Sequence, residues 1–145
     1  MIIILLWPMD QARQQRYKQK MNVVINKLES IPKETMTEVA INATLYCVQV
    51  SIDATMDIIA MLVKDIGHDV SDDYHNIDNL VQSKIISGGA AEELKRFNGL
   101  RNAIVHKYNN FEEESVIKNL TTITTSREKL LEIVEAKINE IAKKN

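Results

Sequence analysis

The sequence predicts an all-α protein, a four- to five-helix up-and-down bundle, from three observations. Only 4 glycines and 2 prolines punctuate 145 residues. Almost no run alternates apolar and polar residues at period two, and apolar residues recur instead at spacings of three and four. At this length the chain can bury one core but not comfortably two, so residues 10–145 read as a single helical domain and residues 1–9 as a separate N-terminal arm. The "MIIILLWP" opening lacks the basic region of a secretory signal and the roughly 20 apolar residues of a spanning helix. Met9 is a candidate initiator; otherwise the arm packs on this domain or on a partner. No membrane association is expected.

The first helix runs from about Asp10 to Ser30, with Met21, Val24, Ile25 and Leu28 as its apolar face, and Ile31-Pro32 ends it because the residue before proline disfavours helical backbone. The second, from about Lys33 to Ile66, carries Ile41, Leu45, Val48, Ile52, Met56 and Ile59 as one stripe among small neighbours. Being apolar on most sides, it predicts the central helix of the bundle. Gly67 closes it as a C-cap. Gln49, Asp53 and Asp57 form an i, i+4, i+8 row on one flank. That row is either a solvated or interface-lining edge, or a set of cleft and ion-pair residues.

Residues 72–86 form a short helix or turn anchored by Tyr74, Ile77, Leu80, Val81 and Ile85, and the "SGG" at 87–89 is the clearest loop signal. A helix follows from about Ala90 to Tyr108. Asn110 with Glu113 three residues later makes a capping-box-like start for the last helix, and Glu112, Glu113 and Glu114 suit its positive end. Val116, Ile117, Leu120, Ile123, Leu130, Ile133, Val134, Ile138 and Ile141 supply its stripe. Thr121 to Ser126 is the expected place for a kink, since these are poor helix formers.

The formal charge is -2, with Lys and Arg spread along the chain, so a dedicated basic footprint is missing and any nucleic-acid contact must be local. Cys47 is the only cysteine, which excludes an intrachain disulfide and a cysteine-based zinc cluster and fits a reducing cytoplasm. Neither a metal nor a cofactor is expected.

The unusual stretch is "GLRNAIVHKY" at 99–108. On a helical wheel, Leu94, Phe97, Leu100, Ile104 and Val105 fall within about 100° of Arg101. A guanidinium in mid-stripe is costly unless paired, so the pattern implies either a carboxylate partner, with Asp53 or Asp57 suitably placed, or an anion-binding cleft. His106 falls about 140° from Arg101, beside Asn102, whereas Tyr108 returns to within about 20°. One straight helix therefore does not aim Arg101 and His106 at the same point. If they act together, the helix bends or ends near His106, or a second copy of the chain supplies half of the site. Taken alone, His106 is equally a favourable charge at a helix C-terminus, and Tyr108 a packing residue.

Arg101-Asn102-Ala103-Ile104-Val105-His106-Lys107-Tyr108 resembles the Arg-x4-His-x-Tyr signature of the HEPN superfamily, in the branch of the HepT toxins. The segments "YCVQVSIDATMDIIAMLV" at 46–63, "DDYHNIDNLVQSKIIS" at 72–87 and "GGAAEELKRFNGLRNAIVHKYNNFEEESV" at 88–116 extend the likeness over about residues 20–143. The arm has no counterpart in that pattern.

The resemblance implies a homodimer whose Arg/His motifs line one cleft, and a metal-independent endoribonuclease toxin cleaving RNA by attack of its own 2'-hydroxyl. Arg101 and His106 would be catalytic and Asn102 supporting. It also implies a nucleotidyltransferase antitoxin of the minimal (MNT) type that neutralises the toxin by attaching AMP to Tyr108. The competing expectation is a non-catalytic nucleotide-binding or substrate-binding partner of such a nucleotidyltransferase.

Overall fold

The computed structural model describes residues 9–34, 37–106 and 113–143, and these form six helices without strands: α1 (Gln11–Glu29), α2 (Glu38–Asp65), α3 (Asp73–Gln82), α4 (Gly88–His106), α5 (Glu113–Lys118) and α6 (Leu120–Lys143). The all-α expectation holds. The "MIIILLWP" arm, Tyr108, Asn110 and Glu112 lie outside the described residues.

Local side-chain chemistry sets the boundaries. The Asp10 carboxylate accepts from the Arg13 amide at 2.7 Å and starts α1. Helix α2 starts at Glu38 rather than at Lys33. The Thr37 hydroxyl accepts from the Ala40 amide at 3.1 Å, so the helix begins where an otherwise orphaned N–H finds an acceptor. The "SGG" loop is also displaced: Ser87 caps α4 through the Ala90 amide at 3.1 Å. Gly88 and Gly89 therefore form its first turn. The kink expected over 121–126 falls instead at Asn119, whose side-chain amide donates to the Ser115 carbonyl at 2.6 Å. A side chain that competes for a helical carbonyl breaks the rod there. The Asn119 carbonyl then accepts from the Ile123 amide at 2.8 Å, so the threonines open α6 instead of interrupting it.

Gly67, at φ 90°, ends α2 in a Schellman arrangement, with His68 N donating to Val63 O at 3.1 Å and Gly67 N to Lys64 O at 3.0 Å. The end of α3 repeats this pattern with Ile85 N to Leu80 O and Lys84 N to Val81 O, both at 2.9 Å, but the left-handed position is Lys84 at φ 60°. A lysine there carries a penalty of about 1–2 kcal/mol that glycine lacks, part of it offset by glycine's greater unfolded-state entropy. Lys84→Gly is thus expected to stabilise the fold by roughly 0.5–1 kcal/mol, read as a higher urea midpoint at unchanged slope.

Helix α2 is the core element: Val48, Ile52, Ile58, Ile59, Leu62 and Val63 are wholly buried. By length and composition alone it could cross a membrane, yet 67% of its most apolar window is buried within the bundle. Helix α1 runs antiparallel to it, because Arg13 pairs with Asp65, Lys20 with Asp57, and Lys27 lies over the Tyr46 ring. At one end, the Asp65 carboxylate accepts from the buried Tyr17 hydroxyl at 2.6 Å and from Arg13 Nε at 2.9 Å. Burial, with that bond to a carboxylate, raises the Tyr17 phenol above its ordinary pKa. Met9 is buried against the core, and its carbonyl accepts from Gln14 Nε2 at 3.1 Å.

Three residues assigned to apolar faces, Ile25, Tyr74 and Val105, are exposed. Conversely Arg127 of α6 is fully buried, and none of its three guanidinium nitrogens meets an acceptor among the described residues.

Candidate functional site

Leu94, Phe97 and Ile104 bury one face of α4, which fixes the helix and leaves Arg101 at the edge of that face. Its Nε donates to Asp53 Oδ1 at 2.5 Å, across to α2, and an Nη1 hydrogen goes to Asn102 Oδ1 at 3.0 Å. The pairing with Asp53 answers the requirement for a carboxylate, but Arg101 is less buried than mid-stripe placement implied. Its side chain keeps 29% of its surface exposed and that of Asp53 41%. A half-exposed pair contributes at most about 1 kcal/mol to stability. Its larger consequence is orientation: of the five N–H donors of a guanidinium, these two bonds use only part of the fork, and the rest remain for another acceptor.

The other members of the α2 row separate in role. Asp57 accepts from Lys20 Nζ of α1 at 2.8 Å, and Gln49 lies partly buried one turn before Asp53. The two pairs Lys20–Asp57 and Arg101–Asp53, their carboxylates one turn apart on α2, thus tie three helices together on one face. On that face Val39 and Tyr46 precede Asp53 at seven-residue steps along α2, Val105 follows Arg101 by one turn of α4, and all three are exposed.

Asn102 joins Arg101 rather than standing with His106 alone. His106 is exposed at the last residue of α4. The helix is unbroken from Arg101 to His106, so within one chain the two residues stay separated by five helical steps, about 140° around the axis and about 7.5 Å along it. Tyr108, two residues beyond, lies outside the described residues. A cleft of about 300 Å³ between α1 and α6, lined by Gln14, Lys18, Asn22, Glu135 and Ile138 among others, contains none of these groups. No group of three or more His, Cys, Asp or Glu side chains suited to a metal occurs among the described residues.

Sequence reasoning missed Lys20 and Lys27 on this face. The available signal was the composition of α1, which carries five basic residues against one acidic one.

Comparison with known proteins gives the arrangement its context. The family model "Ribonuclease HepT-like" matches residues 20–138. A protein of Archaeoglobus fulgidus named "Putative RNase" is 37% identical over 129 residues, covering 89% of this chain and 98% of that one. A similarly named protein of Methanocaldococcus jannaschii is 58% identical over 60 residues, 41% of this chain and 69% of that one. Among solved structures, the tri-AMPylated Shewanella oneidensis HEPN toxin in complex with MNT antitoxin superposes with a TM-score of 0.75 at 17% identity, covering 83% of this chain and 96% of that chain. The cytosolic protein YutE of Bacillus subtilis does so with a TM-score of 0.79 at 14% identity, covering 89% and 93%. At such identities these two likenesses establish the fold alone.

Proposed function

The chain belongs to the HepT-like ribonuclease family, and from that premise we propose that it is a toxin acting in the cytoplasm as a metal-independent endoribonuclease, with Arg101 and His106 as its catalytic residues. The observation that carries this reading is the guanidinium of Arg101, fixed by Asp53 and Asn102 with donors to spare. Phosphate cleavage concentrates negative charge on non-bridging oxygens, and an oriented fork of N–H groups is suited to hold them. Histidine is the side chain that titrates near neutrality without perturbation. In the proposed step, His106 accepts the proton of the 2'-hydroxyl as its oxygen attacks the adjacent phosphorus. The bond to the 5'-oxygen breaks, that oxygen takes a proton from solvent, and the products carry a 2',3'-cyclic phosphate and a 5'-hydroxyl.

The 140° between the two side chains supports a homodimer whose shared cleft holds two composite sites, each taking Arg101 from one protomer and His106 from its partner. The exposed Val105, one turn after Arg101 on α4, gives such a partner an apolar side chain to meet. The test is cleavage of RNA, with EDTA present, by wild type against the single variants. Arg101→Ala is expected to lose about 10²–10³-fold and His106→Ala about 10²–10⁴-fold. Variants as active as wild type, or linear 3'-phosphate as the primary product, would overturn the assignment.

The antitoxin reading extends this to Tyr108. An MNT-type nucleotidyltransferase partner attaches AMP to its hydroxyl, adding phosphate charge and bulk two residues from His106 and blocking the cleft. Tyr108→Phe is expected to keep ribonuclease activity while escaping neutralisation. Mass spectrometry placing the adduct on another residue sinks this.

A further inference from the structure

Tyr46 is an aromatic residue on the site face whose role is not set by packing. It is 57% exposed on α2, and Lys27 of α1 holds its Nζ 5.2 Å from the ring centroid. A cation against one face of a phenol ring is stabilising, but an exposed pair of this kind contributes only about 0.5–1 kcal/mol, too little to account for keeping a large ring in water. Tyr46 also precedes Asp53 by seven residues, two turns of helix, so the ring lies about 10 Å along the α2 axis from the carboxylate that holds Arg101 and on nearly the same azimuth. Between them stands Gln49, partly buried on the same flank.

The electrostatics of this edge differ from those of the whole chain. The formal charge of the protein is -2, yet α1, which borders α2 here, carries Arg13, Arg16, Lys18, Lys20 and Lys27 against Glu29 alone. Asp65 and Asp57 neutralise Arg13 and Lys20. Of these only Lys27 faces the ring; Arg16 and Lys18 stand more than two turns away along α1, and Lys18 lines the cleft toward α6. An aromatic platform with an ammonium beside it, two turns from the carboxylate that orients a guanidinium, matches what single-stranded RNA requires: a surface for an unstacked base and a counter-charge for its phosphate.

We propose that Tyr46, backed by Lys27, is a nucleobase-stacking subsite for single-stranded RNA, engaging a base that flanks the phosphate held by Arg101. The span of about 10 Å corresponds to about three stacked nucleotides, fewer where the strand is extended. Because any base offers a π-face, the subsite favours an unpaired substrate over a particular sequence. This inference rests on the ribonuclease reading above, and its test is arranged to fail separately from it.

The probe is a short 2'-O-methyl oligoribonucleotide, which cannot undergo 2'-hydroxyl attack, binding to the full chain by fluorescence anisotropy. Tyr46→Ala is expected to weaken binding by roughly five- to hundred-fold, with Tyr46→Phe and Tyr46→Trp close to wild type. On an abasic version of the same oligonucleotide, wild type and Tyr46→Ala should bind equally. Equal affinity of Tyr46→Ala and wild type for the base-bearing probe, or the same loss on the abasic one, overturns the subsite while leaving cleavage by Arg101 and His106 intact. A Tyr46→Ala chain that elutes as a smaller species than wild type reassigns the ring to protomer contact and also overturns it. If wild type neither binds nor cleaves RNA, the ribonuclease reading fails first.

Discussion

Subunits carrying Arg101→Ala and subunits carrying His106→Ala, each inactive alone, are expected to recover about a quarter of wild-type ribonuclease activity when mixed in equal amounts and allowed to exchange. Random pairing makes half of the dimers mixed. In a mixed dimer one composite site combines both altered residues, and the other combines the intact Arg101 of one protomer with the intact His106 of its partner. The prediction follows from geometry, since an unbroken helix holds the two side chains about 140° apart. A site contained within one protomer gives no recovery under the same mixing. The effect is large because the background is low: each single variant loses at least about 100-fold, so restoration to a quarter stands well clear of it. Mixed dimers marked with two different affinity tags and purified in series raise the expected recovery to about half and remove dependence on exchange rate.

The helical architecture was legible because its signals are local. The stripe of α2 from Ile41 to Ile59 and the Asp10 and Gly67 termini depend on spacing and capping chemistry that a sequence displays directly. The pairing of Arg101 with Asp53 was also within reach, since a guanidinium on an apolar stripe requires a carboxylate and the row on α2 offered two. Which of the two it takes was not legible. Asp57 goes to Lys20 because α1 packs antiparallel on α2, and that register is set by tertiary contacts. The displaced boundaries share a cause: at Thr37, Ser87 and Asn119 a single side-chain oxygen or amide settled the break against the bulk tendency of its neighbours. The wheel also placed Val105 with the buried residues of α4, whereas it faces outward beside Arg101. A wheel fixes relative angles and leaves the width of the covered arc to packing.

Arg127→Met is expected to stabilise the protein by roughly 1–4 kcal/mol at neutral pH. Arg127 stands four residues after Ile123 and three before Leu130, as deep in the stripe of α6 as the helical wheel places Arg101 in that of α4, so the same rule flags it. The outcomes diverge because Arg101 reaches a carboxylate at a solvent edge, while Arg127 is enclosed. Its guanidinium carbon lies 5.2 Å from the Phe97 ring centroid and its nitrogens meet no acceptor among the described residues. Burial pushes its pKa down from the ordinary guanidinium range to about 10, with the charge of Glu93 opposing the shift. The folded state therefore binds the proton less tightly than the unfolded chain, which is a penalty on folding of roughly 3 kcal/mol at any pH below about 10. From about pH 10 up to the ordinary guanidinium range the unfolded state holds more protons than the folded one, so this penalty is relieved as pH rises through that window. Methionine fills a similar volume and keeps contact with Phe97 without the desolvated charge. Urea unfolding should thus show a higher midpoint for Arg127→Met at pH 7, and an advantage that shrinks as pH is raised above about 10. A loss of about 2 kcal/mol or more on the same substitution would mean that the guanidinium is paired in solution, with Glu93, whose charge already acts on it, the first carboxylate to test.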